Sequence, residues 1–208
     1  WSNWSGLSDV SQFIQVQRGL GASALGISSV GGTMNMVTKS TEAQKGGSAY
    51  FGIGNDGFRK YSVSFSTGLM DNGWAITFMG SLNTGDGYVK GTNYEGWTYF
   101  GNISKVINDH HKLSLTAFGA PQWHNQRSTM HYIEDYKNSP DGGRFNNGYG
   151  YINGEAVGSG YGYNYYHKPQ VSLNHYWTID EKSTLTTSLY GSMATGGGRR
   201  ARGAMSNW

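Results

Sequence analysis

The sequence predicts an all-β fold, a transmembrane antiparallel β-barrel, from three observations. Large apolar and small polar residues alternate along segments of about ten residues, a length that suits a strand tilted across a membrane. The 208 residues include 33 Gly and 15 Tyr, but only 14% are charged. Aromatic girdles and a lumen lined by small polar residues account for such a composition. Short and long connections also alternate along the chain, so the short turns lie at one end of the predicted strands and the long loops at the other.

Seven strands are predicted after residue 46, and the second shows the clearest period of two. There Tyr61, Val63 and Phe65 alternate with Ser62 and Ser64, so one face is apolar and the other polar. We expect the apolar face to meet lipid and the polar face to line a lumen. The predicted strands are Ala49–Gly54, Tyr61–Leu69, Trp74–Met79, Trp97–Ile107, Leu113–Phe118, Val171–Trp177 and Leu185–Leu189.

The predicted turns at residues 70–73, 108–110 and 179–182 are short, whereas 85–96 and 122–167 are long. Trp74 and Trp177 fall beside short turns and Trp97 beside a long loop, where girdle aromatics occur in membrane barrels. Seven strands leave unpaired edges, and each unpaired backbone group costs several kcal/mol in lipid. The sequence therefore predicts part of a larger barrel.

The N-terminal stretch 15–39 has a different residue pattern, two strand-like runs separated by small residues. A strand-like run ends at Arg18, small residues follow, and a second run begins after Gly31 and Gly32. Gly19, Gly21 and Gly26 do not have the spacing of a dinucleotide-binding loop. A hairpin of a soluble all-β protein remains an alternative at this point.

The order of short motifs in this stretch resembles the last part of the plug domain of TonB-dependent outer-membrane receptors. One departure is that Gly26 follows Leu25 directly, whereas the family has one residue between the corresponding Leu and Gly. The resemblance implies that residues 1–45 are the C-terminal part of a plug and that 46–208 are the first seven or so strands of a barrel of about 22. The matching residues are Arg18-Gly19, Ser23-Ala24-Leu25, Gly26, Gly31-Gly32, Asn35 and Thr38-Lys39.

The resemblance also implies a function: active uptake of a nutrient across the bacterial outer membrane through a plug-gated barrel. Arg18 stands where the family has a plug arginine that pairs with barrel carboxylates. The partner TonB would act on a region outside this sequence. The Gly-, Tyr- and Trp-rich style is similar to that of receptors from Bacteroidetes, some of which work with a surface lipoprotein lid.

The long loop is the predicted substrate-binding region. Tyr and Trp give rigid contact area, and Gly and Asn give adaptable hydrogen bonding, a mixture that suits sugars or peptides. The alternative is a loop that merely packs over the barrel mouth. The candidate residues are Trp123, His124, Asn125, Arg127, Tyr149, Tyr151, Tyr161 and Tyr163.

Other chemistry is weakly indicated. No catalytic constellation is visible, and no cofactor is expected. The chain has no cysteine, which leaves no disulfide or thiolate site. His131 near Glu134 and Asp135 fits no zinc template. The net charge of +3 without a basic run does not suggest nucleic acid.

Arg199, Arg200 and Arg202 suit either lipopolysaccharide phosphates or a solvated loop. No leader is visible, and we expect the N-terminus to be a cut boundary, so this absence says nothing about location. Two other functions stay open: a small outer-membrane barrel enzyme and a soluble carbohydrate-binding β-sandwich. Solubility without detergent would favour the sandwich.

Overall fold

The structure, a computed structural model, describes residues 11–19, 31–38, 43–127, 130–152, 155–157 and 162–199. Its strands up to the long loop are β1 Ser11–Arg18, β2 Gly32–Thr38, β3 Gly46–Ile53, β4 Arg59–Leu69, β5 Trp74–Gly85, β6 Tyr94–Val106, β7 His111–Gly119 and β8 Gln122–Asn125. The later elements are helix α1 Ile133–Asn138, a 3-10 turn Gly142–Arg144, β9 Gly150–Ile152, β10 Glu155–Val157, β11 Tyr163–His167, β12 Gln170–Thr178, β13 Thr184–Ser192 and β14 Thr195–Gly198. None of these helices is long and apolar enough to cross a membrane.

Strands β1 and β2 form a two-stranded antiparallel sheet of their own. Arg18 pairs with Gly32 at its end. Gly32 has φ +121°, and a Cβ there would collide with the carbonyl oxygen of Gln17. A close backbone approach therefore requires glycine at position 32, whereas a side chain at position 31 would meet no neighbour. The small-residue stretch between the two strands lies outside the described residues.

The large sheet has the order β3-β4-β5-β6-β7-β12-β13, and all its neighbours are antiparallel. Each of the seven predicted strands is present in it, which confirms the all-β antiparallel prediction. Three short strands, β8, β11 and β14, continue β7, β12 and β13 toward the long-loop end. Strand β11 pairs with both β8 and β14, and β8 also pairs with β6.

The three extensions are separated from their parent strands along one line. The interruptions fall at residues 120–121, 168–169 and 193–194. Two of them contain a proline, Pro121 or Pro169. Proline has no backbone N–H to donate to the hydrogen bonds between strands. The register places all three opposite one another, because Gln170 pairs with both Phe118 and Ser192. We call this line the crease.

The stretch 122–167 is not the irregular loop that its sequence indicates. Its two ends are strands, with Tyr163 paired to Asn125 and Tyr166 to Gln122. Sequence reasoning missed them because both faces carry polar or aromatic residues, which hides the period of two. The strands on either side of the predicted 85–96 loop also extend further than predicted, since β5 reaches Gly85 and β6 begins at Tyr94.

The two faces of the large sheet have inverted polarity, as predicted. Phe65, Phe78 and Ile103 are 53%, 51% and 44% exposed, whereas Asn102 and Ser114 are 2% and 3% exposed. We call the apolar side the outer face and the polar side the inner face.

A group of buried polar side chains on the inner face makes hydrogen bonds within itself. Asn102 Nδ2 donates to Ser114 Oγ and Thr116 Oγ1, each at 2.8 Å, and Ser104 Oγ donates to Asn102 Oδ1 at 2.7 Å. Such pairing is what buried polar groups need to avoid a desolvation cost. The buried apolar cluster on this face, Met79 and Phe100, is small.

Candidate functional site

A cavity of about 420 Å³ opens at the long-loop end of the sheet. Six of its ten lining residues carry a hydroxyl, amide or imidazole group, although carbon atoms form most of the surface that faces the cavity. None of the described residues that line it is Lys or Arg. The lining residues are Asn83, Gly87, Thr92, Tyr94, Glu95, Gly96, Gln122, Trp123, His124 and Asn125.

Strand β8 supplies a polar row on the inner face. His124 Nδ1 lies 2.8 Å from Gln122 Oε1, and its Nε2 lies 3.3 Å from Gln126 Oε1. His124 pairs in register with Tyr94 of β6, and Tyr94 pairs with Gly85. Gln122 Nε2 is buried without a hydrogen-bond partner. This row can donate and accept hydrogen bonds with little net charge.

Trp123, by contrast, lies on the outer face, because adjacent residues of a strand point to opposite sides. Its ring stacks on Tyr163 with centroids 6.1 Å apart, and Tyr163 contacts Tyr165 at 5.9 Å. The predicted substrate-binding residues therefore do not form one cluster. The sheet separates His124 from Trp123 and Tyr163.

Asn125 holds two loops together. Its Nδ2 donates to Asn93 Oδ1 at 2.6 Å, and its backbone N–H donates to the carbonyl of Asn93 at 2.9 Å. The side chain is only 3% exposed, and its Oδ1 is buried without a partner. Asn125 thus fixes the 86–93 loop against the strand that carries His124.

Arg127 and Tyr149 are scaffold residues of the loops in this structure. Arg127 donates to the carbonyl oxygen of Phe145 at 2.7 Å and lies over the ring of Tyr136 at 5.2 Å. Tyr149 packs on Gly91, where a Cβ would sit 2.5 Å from the Tyr149 ring. Tyr151 belongs to β9, and Tyr161 lies outside the described residues.

Two ion pairs fasten the loops to each other. Lys90 Nζ lies 2.6 Å from Asp141 Oδ1, and Arg144 Nη1 lies 2.6 Å from Asp56 Oδ1. Arg144 also lies over the Tyr88 ring at 4.8 Å. Sequence reasoning missed these pairs because the partners are far apart in the chain and no local pattern connects them.

The remaining candidates have separate positions. Arg18 is exposed at the end of β1, and its pairing with barrel carboxylates remains a prediction. His131 Nδ1 lies 4.0 Å from Asp135 Oδ2, but no three potential ligands meet within the described ranges. The Arg199 guanidinium lies 5.9 Å from the centre of the Tyr163 ring. Arg200 and Arg202 fall outside those ranges.

Comparisons with known proteins match the fold. The chain is similar to the open form of the ferric-catecholate import receptor Fiu from E. coli K12, with a TM-score of 0.70 and 15% identity over 90% of this chain. It is also similar to the siderophore receptor PiuA from Acinetobacter baumannii, with a TM-score of 0.64, 15% identity and the same 90% coverage.

The chain spans only 29% and 26% of the length of those two receptors. No protein-family model matches it, and neither does any curated protein. At such low identity the likeness establishes the fold and nothing finer. The resemblance seen in the sequence is thus confirmed at that level: this chain has the fold of a segment of a TonB-dependent receptor.

Proposed function

We propose that this chain is part of a receptor for TonB-dependent active uptake of a nutrient across the bacterial outer membrane. It would contribute the end of the plug, residues 1–45, and the first strands of the barrel, residues 46–208. The two receptors of similar fold import ferric catecholate or bind siderophores. We propose a transport role rather than a catalytic one, with TonB acting on a region outside this sequence.

The inverted polarity of the large sheet carries this proposal. A soluble β-sandwich buries apolar side chains between its sheets, whereas here Phe78 is 51% exposed and Ser104 is 1% exposed. Exposed apolar side chains that alternate with buried or half-buried small or polar ones, as along β4, β5 and β6, are stable when hydrocarbon surrounds the outer face. The outer face then meets lipid and the inner face lines the lumen.

The aromatic residues support the same orientation. Trp74 and Trp177 lie beside short turns, which would face the periplasm, and Trp97 and Trp123 lie toward the long loops, which would face outward. Arg199, stacked over Tyr163, sits where it would meet lipopolysaccharide phosphates.

The cavity at the long-loop end is the proposed entry site for the ligand. His124 and Gln122 of its inner-face row would contact the ligand directly, and Asn125 and Arg127 would hold the loops that enclose it. Beyond the cavity, the long loop exposes Met130 and Tyr132 by 97% and 84%. These side chains are available for a surface partner such as the lipoprotein lid.

The membrane orientation is tested by placing a charge on the outer face. In the full-length receptor, Phe78→Lys would cost about 2–4 kcal/mol if the residue faces the bilayer midplane. The amount of folded receptor in outer-membrane fractions is then expected to fall sharply. Met130→Lys, in the exposed loop, is the matched control and should leave the amount of folded receptor unchanged. If Phe78→Lys accumulates normally, the outer face does not meet lipid.

Uptake is tested by comparing cells that have or lack the full-length receptor. Mass spectrometry of a defined medium would identify nutrients that only the receptor-bearing cells deplete. We expect that depletion to stop in cells without TonB. Replacing Gln122 and His124 by Ala should reduce it while folded receptor persists. Depletion that continues without TonB would contradict the energised mechanism.

A further inference from the structure

The outer face beside the short turns carries an unusual group of side chains, which we call the short-turn belt. It consists of Trp74, Lys105, His111, His175 and Trp177, contributed by four consecutive strands of the sheet. Trp74 is opposite Lys105 in the register, and His111 is opposite Trp177. Strands lie about 4.8 Å apart, so the belt extends roughly 14 Å across the sheet.

Lys105 is the cationic member of the belt. Its Nζ lies 5.2 Å from the centre of the Trp74 ring and donates to the carbonyl oxygen of Asn72 at 2.6 Å. That bond uses one of the three N–H donors of the ammonium group. Trp74 is 40% exposed and Lys105 is partly exposed, so both side chains reach the surface of the outer face.

The two histidines supply a further donor. His111 Nδ1 and His175 Nε2 lie 3.0 Å apart, and the rings stack with centroids at 5.2 Å. One proton occupies this contact when both rings are neutral. Whichever ring donates it, one N–H of the pair remains for a ligand. Trp177 stacks on His111 at 5.6 Å and is 37% exposed.

The surroundings of the belt are apolar on one side and polar on the other. Ile103, Leu115 and Leu173 continue the outer face away from the short turns and are each at least 41% exposed. The acidic residues of this end, such as Asp109 and Asp180, lie in the turns rather than on the outer face. A ligand with an apolar chain and an anionic head matches this arrangement.

We propose that the short-turn belt binds the phosphate group of an anionic phospholipid and thereby fixes the depth of this end in the membrane. Lys105 would bond the phosphate oxygens, the free imidazole N–H on the neighbouring strands would bond another oxygen of the same lipid head, and the two indoles would lie at headgroup level. This inference rests on the proposed membrane orientation of the sheet.

The test uses the full-length receptor in nanodiscs of phosphatidylcholine that contain an equal, minor fraction of brominated phosphatidylglycerol or brominated phosphatidylcholine. Brominated chains quench a nearby indole. The contribution of Trp74 is the difference between the unaltered receptor and Trp74→Phe. One cation near a membrane surface contributes about 1 kcal/mol, so we expect about fivefold enrichment of the anionic lipid.

Lys105→Gln should remove the preference, while Arg59→Gln, an exposed cation at the other end of the outer face, should leave it intact. Equal quenching by the two lipids, or an unchanged preference in Lys105→Gln, would overturn the headgroup site alone. Quenching of Trp74 by neither lipid would refute the membrane orientation itself.

Discussion

The two ends of the large sheet are held together in different ways. At the short-turn end each turn has hydrogen bonds within itself, because Asn72 Oδ1 accepts from the N–H of Trp74 at 3.2 Å and Asn108 Oδ1 accepts from the N–H of His111 at 2.9 Å. Bonds to a neighbouring strand are present there as well, as in that of Lys105 with Asn72. At the long-loop end the bonds run between loops, as in the pair of Lys90 and Asp141. We therefore expect changes in the turns to affect folding of the sheet, and changes in the bonds between loops to affect the cavity that these loops surround.

The largest effect is expected from the short-turn end, at Gly73. This residue has φ +78°, and a Cβ would sit 2.6 Å from the carbonyl oxygen of Val106. Gly73→Val should therefore cost roughly 1–3 kcal/mol from strain and lower the yield of heat-resistant folded receptor. Gly101→Val is the control, because Gly101 has open space around its Cβ position. Equal yields for the two variants would show that this turn does not govern assembly.

An intermediate effect is expected at the long-loop end, from Arg144→Gln. The variant removes the ion pair with Asp56 and the stacking over Tyr88, and partly exposed pairs contribute up to about 1 kcal/mol. Folded yield should persist, while amide hydrogen exchange in residues 86–93 should accelerate. Lys137→Gln, on exposed α1, should alter neither. A fall in yield as large as that of Gly73→Val would remove the distinction between the two ends.

The smallest effect is expected from the turn at Asp180. The backbone N–H of Lys182, with help from Ser183, holds the pKa of this carboxyl below its ordinary value. Its stabilising contribution is complete above the ordinary carboxyl pKa and is lost as the pH falls through the lowered one. Asp180→Asn should therefore lower Tm slightly at pH 7 and leave it unchanged in strong acid. A difference in Tm that grew with acidity would contradict this sign.

The difference between contacts within a turn and contacts between distant loops also explains what the sequence could predict. Strand alternation and the short turns depend on neighbours in the chain, so the alternation from Tyr61 to Phe65 and the turns at 70–73 and 108–110 were predicted correctly. The cavity depends on register between distant strands, which no local pattern specifies. Sequence reasoning therefore grouped Trp123 with His124, although a strand places them on opposite faces, and it overlooked Gln122 and Asn83.

The crease at Pro121 and Pro169 has a mechanical consequence. A sheet is stiff along its strands only where the ladder is continuous, so bending should concentrate along this line. The segments β11 and β14 would tilt most, because β8 stays paired to β6, which continues past this line without interruption. Strain produced when the loops rearrange around a ligand would then be absorbed by the short strands beyond the crease. It would not be transmitted to the strands on the short-turn side.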